Sequence, residues 1–391
     1  MAHKARLQEF QQTLAAEVID MSKLRKLAFN GCPDEQGMRS KCWKLVLHYL
    51  PKTTGDWASE LKKQRALYRQ FIDEMIIKPG TEATEKGVMD VTFDDHPLNP
   101  NPDSRWQAYF KDNEMLLQID KDCRRLCPDL NFFQRATRFP CARLCGKNSF
   151  ETLRKRVEQG VLHSESVSRN RLGITNMSVS RRKGSEEFVP LPEGQEAHWE
   201  VCERILFVYG KLNTGLGYIQ GMNEILGPIY HAFASDPDPD CEEFAEADSF
   251  FCFTNLMSEI RDNFIKSLDD SQCGIGNQMS QLMSMLKEKD STLWYRLQEQ
   301  DLKPQFYAFR WLTLMFSQEF PLPDVLRIWD SLFAEEKRFN FLIHVACAML
   351  LLLKNDLLTG DFSHNMKLVQ NFPYATYDVQ RVIKKAVDIS R

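Results

Sequence analysis

Apolar side chains along this chain recur mostly at three- and four-residue steps, the repeat that puts them on one side of an α-helix. Leu7, Phe10, Leu14, Val18, Met21, Leu24 and Leu27 keep that step and predict one long N-terminal helix. Asn30-Gly31 ahead of Pro33 reads as its C-terminal stop. Met38, Cys42, Leu45, Val46 and Tyr49 predict a second helix ended by Pro51. Trp57, Leu61, Tyr68, Phe71 and Met75 predict a third, ended by Pro79-Gly80. The rhythm returns in Trp199, Cys202, Ile205, Leu206, Tyr209 and Leu212, and in Met279, Leu282, Met283 and Leu286. Alternating, strand-like runs between turn signals are scarce. The predicted fold is all-α.

Two stretches interrupt the pattern. Residues 80–105 carry Pro97, Pro100 and Pro102 among acids and asparagines, which predicts a long loop. Residues 163–197 are rich in Ser, Asn, Gly and charge and read as a flexible surface insertion. Within it, Arg169 to Lys183 holds five basic and no acidic residues, so a lipid-facing or phosphorylation-tuned patch is the sharper reading.

Composition narrows the function. The 391 residues carry 50 Lys+Arg against 54 Asp+Glu, a net charge of −4, without the basic excess of a typical nucleic-acid binder. The longest apolar run, Phe341 to Leu353, is interrupted by His344 and is too short for a bilayer span of about 20 residues. The N-terminus lacks an apolar signal-peptide core. These features predict a cytoplasmic protein, and the 11 cysteines then read as free thiols rather than a disulfide framework.

Most site chemistries are missing from the sequence. Gly146-Lys147-Asn148 lacks the upstream Gly and following Ser/Thr of a phosphate-cradling loop. Gly215-Leu216-Gly217 follows no strand, and Gln220 stands where a dinucleotide fingerprint needs glycine. The chain therefore predicts no nucleotide site and no cofactor of its own. Cys123, Cys127, Cys141 and Cys145 fall within the spacing that structural zinc loops tolerate, but their apolar, helical surroundings favour ordinary thiols, so no metal is expected.

Two segments stand out. In Gln118 to Pro128, Ile119, Asp122 and Arg125 are spaced three apart and share one side of a helix. Ile119 can anchor that side to the core, and Asp122 can hold Arg125 by a charge-assisted hydrogen bond in the last turn before Pro128. An arginine complementing the helix dipole through one surface ion pair would fit the same spacing. In Asn213 to Asn223, glycines permit sharp turns, and the Gln220 amide both donates and accepts. That property suits water positioning, although Gln220 also reads as a plain turn residue.

Taken together, Ile119-x-x-Asp122-x-x-Arg125 and Tyr218-x-Gln220 resemble the arginine- and glutamine-finger motifs of the TBC domain of Rab GTPase-activating proteins. Arg124 lacks an aspartate three positions earlier, so Arg125 is the match. Gly37-Met38-Arg39 with Trp43, Glu246 to Phe253, and Phe309 to Phe333 resemble further blocks of that family. Two departures are visible: Thr214 stands where the family commonly has proline, and the 163–197 insertion separates the fingers more than usual.

The resemblance implies a two-lobed helical domain over residues 33–355, preceded by an N-terminal helical extension (1–32) and followed by a helical tail (356–391). It implies a GTP-bound Rab-family small GTPase as partner, with GTP and Mg²⁺ held by that partner and any membrane contact made through it. Arg125 and Gln220 would be catalytic, with Asp122 and Tyr218 supporting them. Arg39, Trp43, Trp311, Trp329 and Asp330 would support the fold, with partner contact the minority reading for Arg39 and Arg310. A family member that binds a GTPase without catalysis is the alternative; such members typically lose one finger, and here both positions are filled.

Overall fold

The computed structural model describes residues 2–76, 105–145, 152–158, 191–192, 194–265 and 274–391. Every regular element among them is helical, and strand-like pairing is limited to two isolated bridges, Val18 with Thr53 and Ala136 with Ala197. The expected loop up to residue 104, the Pro79-Gly80 stop and the basic stretch of the insertion lie outside the described residues. No described helix is long and apolar enough to cross a membrane.

The chain divides into two compact units, one built from 1–65 and 224–391, the other from 66–223. In the first, the single N-terminal helix expected from periodicity is two helices, Ala2–Leu14 and Met21–Phe29. Between them Val18 is exposed and bridges to Thr53, and the Asp20 carboxylate accepts the Lys23 N–H at 3.0 Å. That N-cap starts a new helix where the apolar step alone would carry the old one through. Asn30 closes the second helix and Gly31 turns away from it at φ 99°.

The helix Met38–Val46 is almost wholly buried, and Asp330 is the group that receives it. This carboxylate accepts the Cys32 N–H at 2.8 Å, the Trp43 indole N–H at 2.8 Å and two Arg39 nitrogens at 3.1 and 3.2 Å. The Trp43 ring packs edge-on to Phe333 at 5.0 Å and lies 6.1 Å from Trp329. Arg39 thus works inside the fold. Arg310 is more open, yet its fork grips Glu319 at 2.7 and 2.9 Å.

A second buried carboxylate, Asp248 on the helix Ala245–Ile260, gathers Lys44 at 2.6 Å, the Tyr49 hydroxyl at 2.8 Å and Arg65 through two bonds at 2.8 and 3.0 Å. Burial opposes its ionisation, but Lys44 and Arg65 outweigh that cost and hold the carboxyl below its ordinary value. The C-terminal helix Val379–Ser390 turns Val382, Ile383, Ala386 and Ile389 inward and packs against the helix Arg338–Leu352.

The second unit is organised around the helix His198–Leu212, buried over most of its length, which packs against the helix Arg105–Cys123. Here the expected insertion ends earlier than its composition suggested. Glu196 and Ala197 are buried: Glu196 forms an ion pair with Arg204, and its carboxylate accepts the Cys141 N–H at 3.0 Å. Ala197 caps the helix, accepted at its N–H by Glu200 at 2.7 Å. Residues that compose like a linker are held by one buried charge pair.

Candidate functional site

Arg125, Asp122, Tyr218 and Gln220 all lie in the second unit. The helix Arg105–Cys123 brings Ile119, fully buried, and Asp122, almost buried, to its inner side and then tightens. Arg125 and Leu126 bond back three residues, to Asp122 at 3.2 Å and Cys123 at 3.1 Å, and Cys127 takes a φ of 43° ahead of Pro128. Arg125 therefore stands in the turn beyond the helix, two residues past the last helical position rather than in the final helical turn.

The arginine is exposed but tethered. Its side chain is 68% exposed while Asp122 is only 7% exposed. Nη2 donates to Asp122 Oδ1 at 3.0 Å and Nε donates to the Lys121 carbonyl at 2.9 Å. Nη1 makes no hydrogen bond among the described residues. One end of the guanidinium is thus fixed while the other meets solvent, where its fork can receive two oxygens of an anion.

Asp122 also faces the second segment. Its other oxygen, Oδ2, accepts the Tyr218 hydroxyl at 2.8 Å. The Tyr218 oxygen lies 3.2 Å from the Asn223 amide oxygen, and Asn223 Nδ2 donates to the Asp122 backbone carbonyl at 3.3 Å. Gly217 and Gly221, at φ 65° and 104°, bracket the three residues Tyr218–Gln220, and such angles suit glycine alone without strain. With Tyr218 buried as an anchor, Gln220 is carried to the surface, where its amide makes no hydrogen bond to the described residues.

The neighbouring arginine behaves differently. Arg124 Nε donates to both Asp120 oxygens, at 2.9 and 3.0 Å, and its guanidinium lies 4.7 Å over the Trp199 ring. Burial works against this charge, but the Asp120 bonds outweigh it and raise the guanidinium above its ordinary value. Register alone made Arg125 the candidate, and burial now separates the two by structure. Glu203, one turn beyond Trp199, is buried with neither carboxyl oxygen hydrogen-bonded. Burial, with Asp120 and Glu200 adding to it, pushes this carboxyl well above the usual carboxylate range.

Sequence reasoning missed Asn223 and the Asp120–Arg124 pair. The i,i+4 spacing of the pair was there to be read, whereas nothing in a linear motif announces that Asn223 reaches a carbonyl 101 positions away. Of the four spaced cysteines, Cys123 is buried and the others are partly exposed. No group of three or more His, Cys, Asp or Glu among the described residues is arranged to hold a metal ion.

Three comparisons with known proteins bear on this geometry. A Rab-GTPase-TBC domain family model matches residues 193–358, a range that contains Tyr218 and Gln220 and begins after Arg125. The chain is 59% identical to TBC1 domain family member 13 of Mus musculus and 60% identical to its Homo sapiens counterpart, over 99% of this chain and 98% of theirs. Among solved structures it resembles the Ypt/Rab-GAP domain of Gyp1p, with a TM-score of 0.67 at 21% identity, over 99% of this chain and 98% of that one.

Proposed function

This chain belongs to the Rab-GTPase-TBC domain family, and on that premise we propose that it is a GTPase-activating protein for a Rab-family small GTPase. The partner is its GTP-bound form, which holds the nucleotide and Mg²⁺. Hydrolysis there needs an in-line water and relief of the negative charge that builds on the transferring phosphoryl group. Arg125 enters in trans to neutralise that charge, and Gln220 positions the water. Asp122 orients Arg125, and Tyr218 seats the loop that carries Gln220. The activity belongs to vesicle trafficking, in the cytoplasm and at membranes reached through the partner.

One observation carries this reading: a single buried carboxylate, Asp122, bonds the exposed arginine with one oxygen and the anchor of the glutamine loop with the other. A surface ion pair that only answered a helix dipole would need neither the burial nor the second bond. Two exposed polar side chains, far apart in the chain, are thereby referred to one rigid point, and such positioning is what catalysis in trans demands.

The test is single-turnover GTP hydrolysis by the whole chain against a panel of GTP-loaded Rabs. Acceleration of at least one Rab is expected. Nucleotide-dependent binding without acceleration of any Rab would replace this reading with a non-catalytic member of the same family.

A further inference from the structure

We propose that Arg124 is a positioning residue, a clamp that fixes the turn from which Arg125 projects. The proposal deepens the activating role above and rests on it for its kinetic arm alone.

The clamp has three independent grips on one residue. The guanidinium sits on Asp120 through Nε, with both oxygens within 3.0 Å. The same guanidinium lies over the Trp199 ring of the packed neighbouring helix. The backbone carbonyl accepts the Gln134 amide at 3.1 Å, from the segment that follows the turn. The peptide joining residues 124 and 125 is therefore held on its side-chain side by a helix pair and on its carbonyl side by a loop. Among the described residues Arg125 has only its bonds to Asp122 and to the Lys121 carbonyl, both from the helix it has just left.

Asp120 is the acid that bonds this arginine directly, while Glu203 and Glu158 act on it only through their charge. Glu203 is the other buried acid beside it, but neither of its oxygens is hydrogen-bonded. Among the described residues Asp120 is the sole carboxylate that pairs with Arg124. Two adjacent arginines are thus divided between tasks. The one at 26% side-chain exposure is spent on holding, and the one at 68% is left to reach. A lysine at 124 would keep a cation able to reach the ring but would lose the Nε–H that both Asp120 oxygens accept.

The experiment has two readouts on the full chain, for wild type, Arg124→Ala and Arg124→Lys. In hydrogen–deuterium exchange, Arg124→Ala is expected to speed exchange in peptides covering 119–130 while those covering the helix Arg338–Leu352 stay unchanged. Arg124→Lys is expected to restore part of the protection. In single-turnover hydrolysis on a Rab that the wild type activates, Arg124→Ala is expected to lower the limiting rate by about 10- to 100-fold. The activator concentration giving half that rate is expected to stay put. Wild-type exchange at 119–130 in Arg124→Ala would overturn the clamp, whatever the hydrolysis arm reads. A shifted half-saturating concentration with an unchanged limiting rate would overturn it too, by placing Arg124 in partner binding. Absence of activation by the wild type on every Rab would count against the activating role and leave the exchange result to decide the clamp.

Discussion

The Tyr218 hydroxyl lies 2.8 Å from the Asp122 carboxylate, on the oxygen that Arg125 does not use. A buried carboxylate with two charge-assisted bonds loses much when one donor goes, because a hydrogen bond to a charged group contributes about 1.5–3 kcal/mol. Tyr218→Phe keeps the ring and removes only the proton. It is expected to slow stimulated hydrolysis by about tenfold, measured as the limiting single-turnover rate, with circular dichroism unchanged. A wild-type rate would detach the tyrosine from the arginine.

Arg125 and Gln220 are both exposed, so their removal should show first in activity. Arg125→Ala is expected to abolish about 10³-fold or more of the acceleration. Arg125→Lys should fail as well, since a point charge cannot hold two phosphoryl oxygens in a plane. For Gln220→Ala a loss of about 10²-fold is expected. Gln220→Ala should melt within about a degree of wild type, as surface substitutions away from any buried group do, whereas Arg125→Ala should melt lower because it leaves the buried Asp122 carboxylate without one of its two donors.

Glu203 makes stability depend on pH. Unfolded, its carboxyl ionises near the ordinary value of about 4.3; folded, burial keeps it protonated well above that. The folded chain then holds more protons, so this group's contribution falls as pH rises from about 4.3 toward the folded value. Glu203→Gln removes the effect. Thermal melts of both proteins at several pH values should show the variant gaining on wild type as pH rises. A constant offset would mean that Glu203 is ionised in the fold.

Asp248 neutralises Lys44 and Arg65 together. Asp248→Asn leaves two cations in the core without their carboxylate and is expected to destabilise by about 3–5 kcal/mol in denaturant titration. In wild type the folded carboxyl titrates below its ordinary value, so its contribution is complete above about pH 3.9 and fades on further acidification. The wild-type advantage over the variant should shrink there.

Local spacing carried much of this into view. Helical periodicity marks Met38–Val46 and His198–Leu212, and three-residue spacing marks the Asp122–Arg125 bond. What escaped needs partners distant in sequence or a cap that periodicity ignores. Asp20 divides a stripe of apolar residues that otherwise runs unbroken, because one side-chain oxygen satisfies an N–H that the first helix would have bonded itself. Tyr218 reaches Asp122 over 96 positions, and Glu196 folds into the core from a segment composed like a linker. Arg124 looked like a register ambiguity, and only its burial over Trp199 gives it a task.

The grip of Asp330 on Arg39, Trp43 and the Cys32 N–H bears on the order in which the chain can settle during synthesis. The unit formed from 1–65 and 224–391 draws on both ends of the polypeptide, whereas residues 66–223 form one uninterrupted stretch. On the ribosome, Arg39 emerges long before its carboxylate exists, so the early helices must wait without the group that receives their cation and indole in the fold. The stretch that carries Arg125 and Gln220 is complete while they wait, and can close first. The nascent part most in need of shelter is therefore the opening segment, and not the one that carries the catalytic pair.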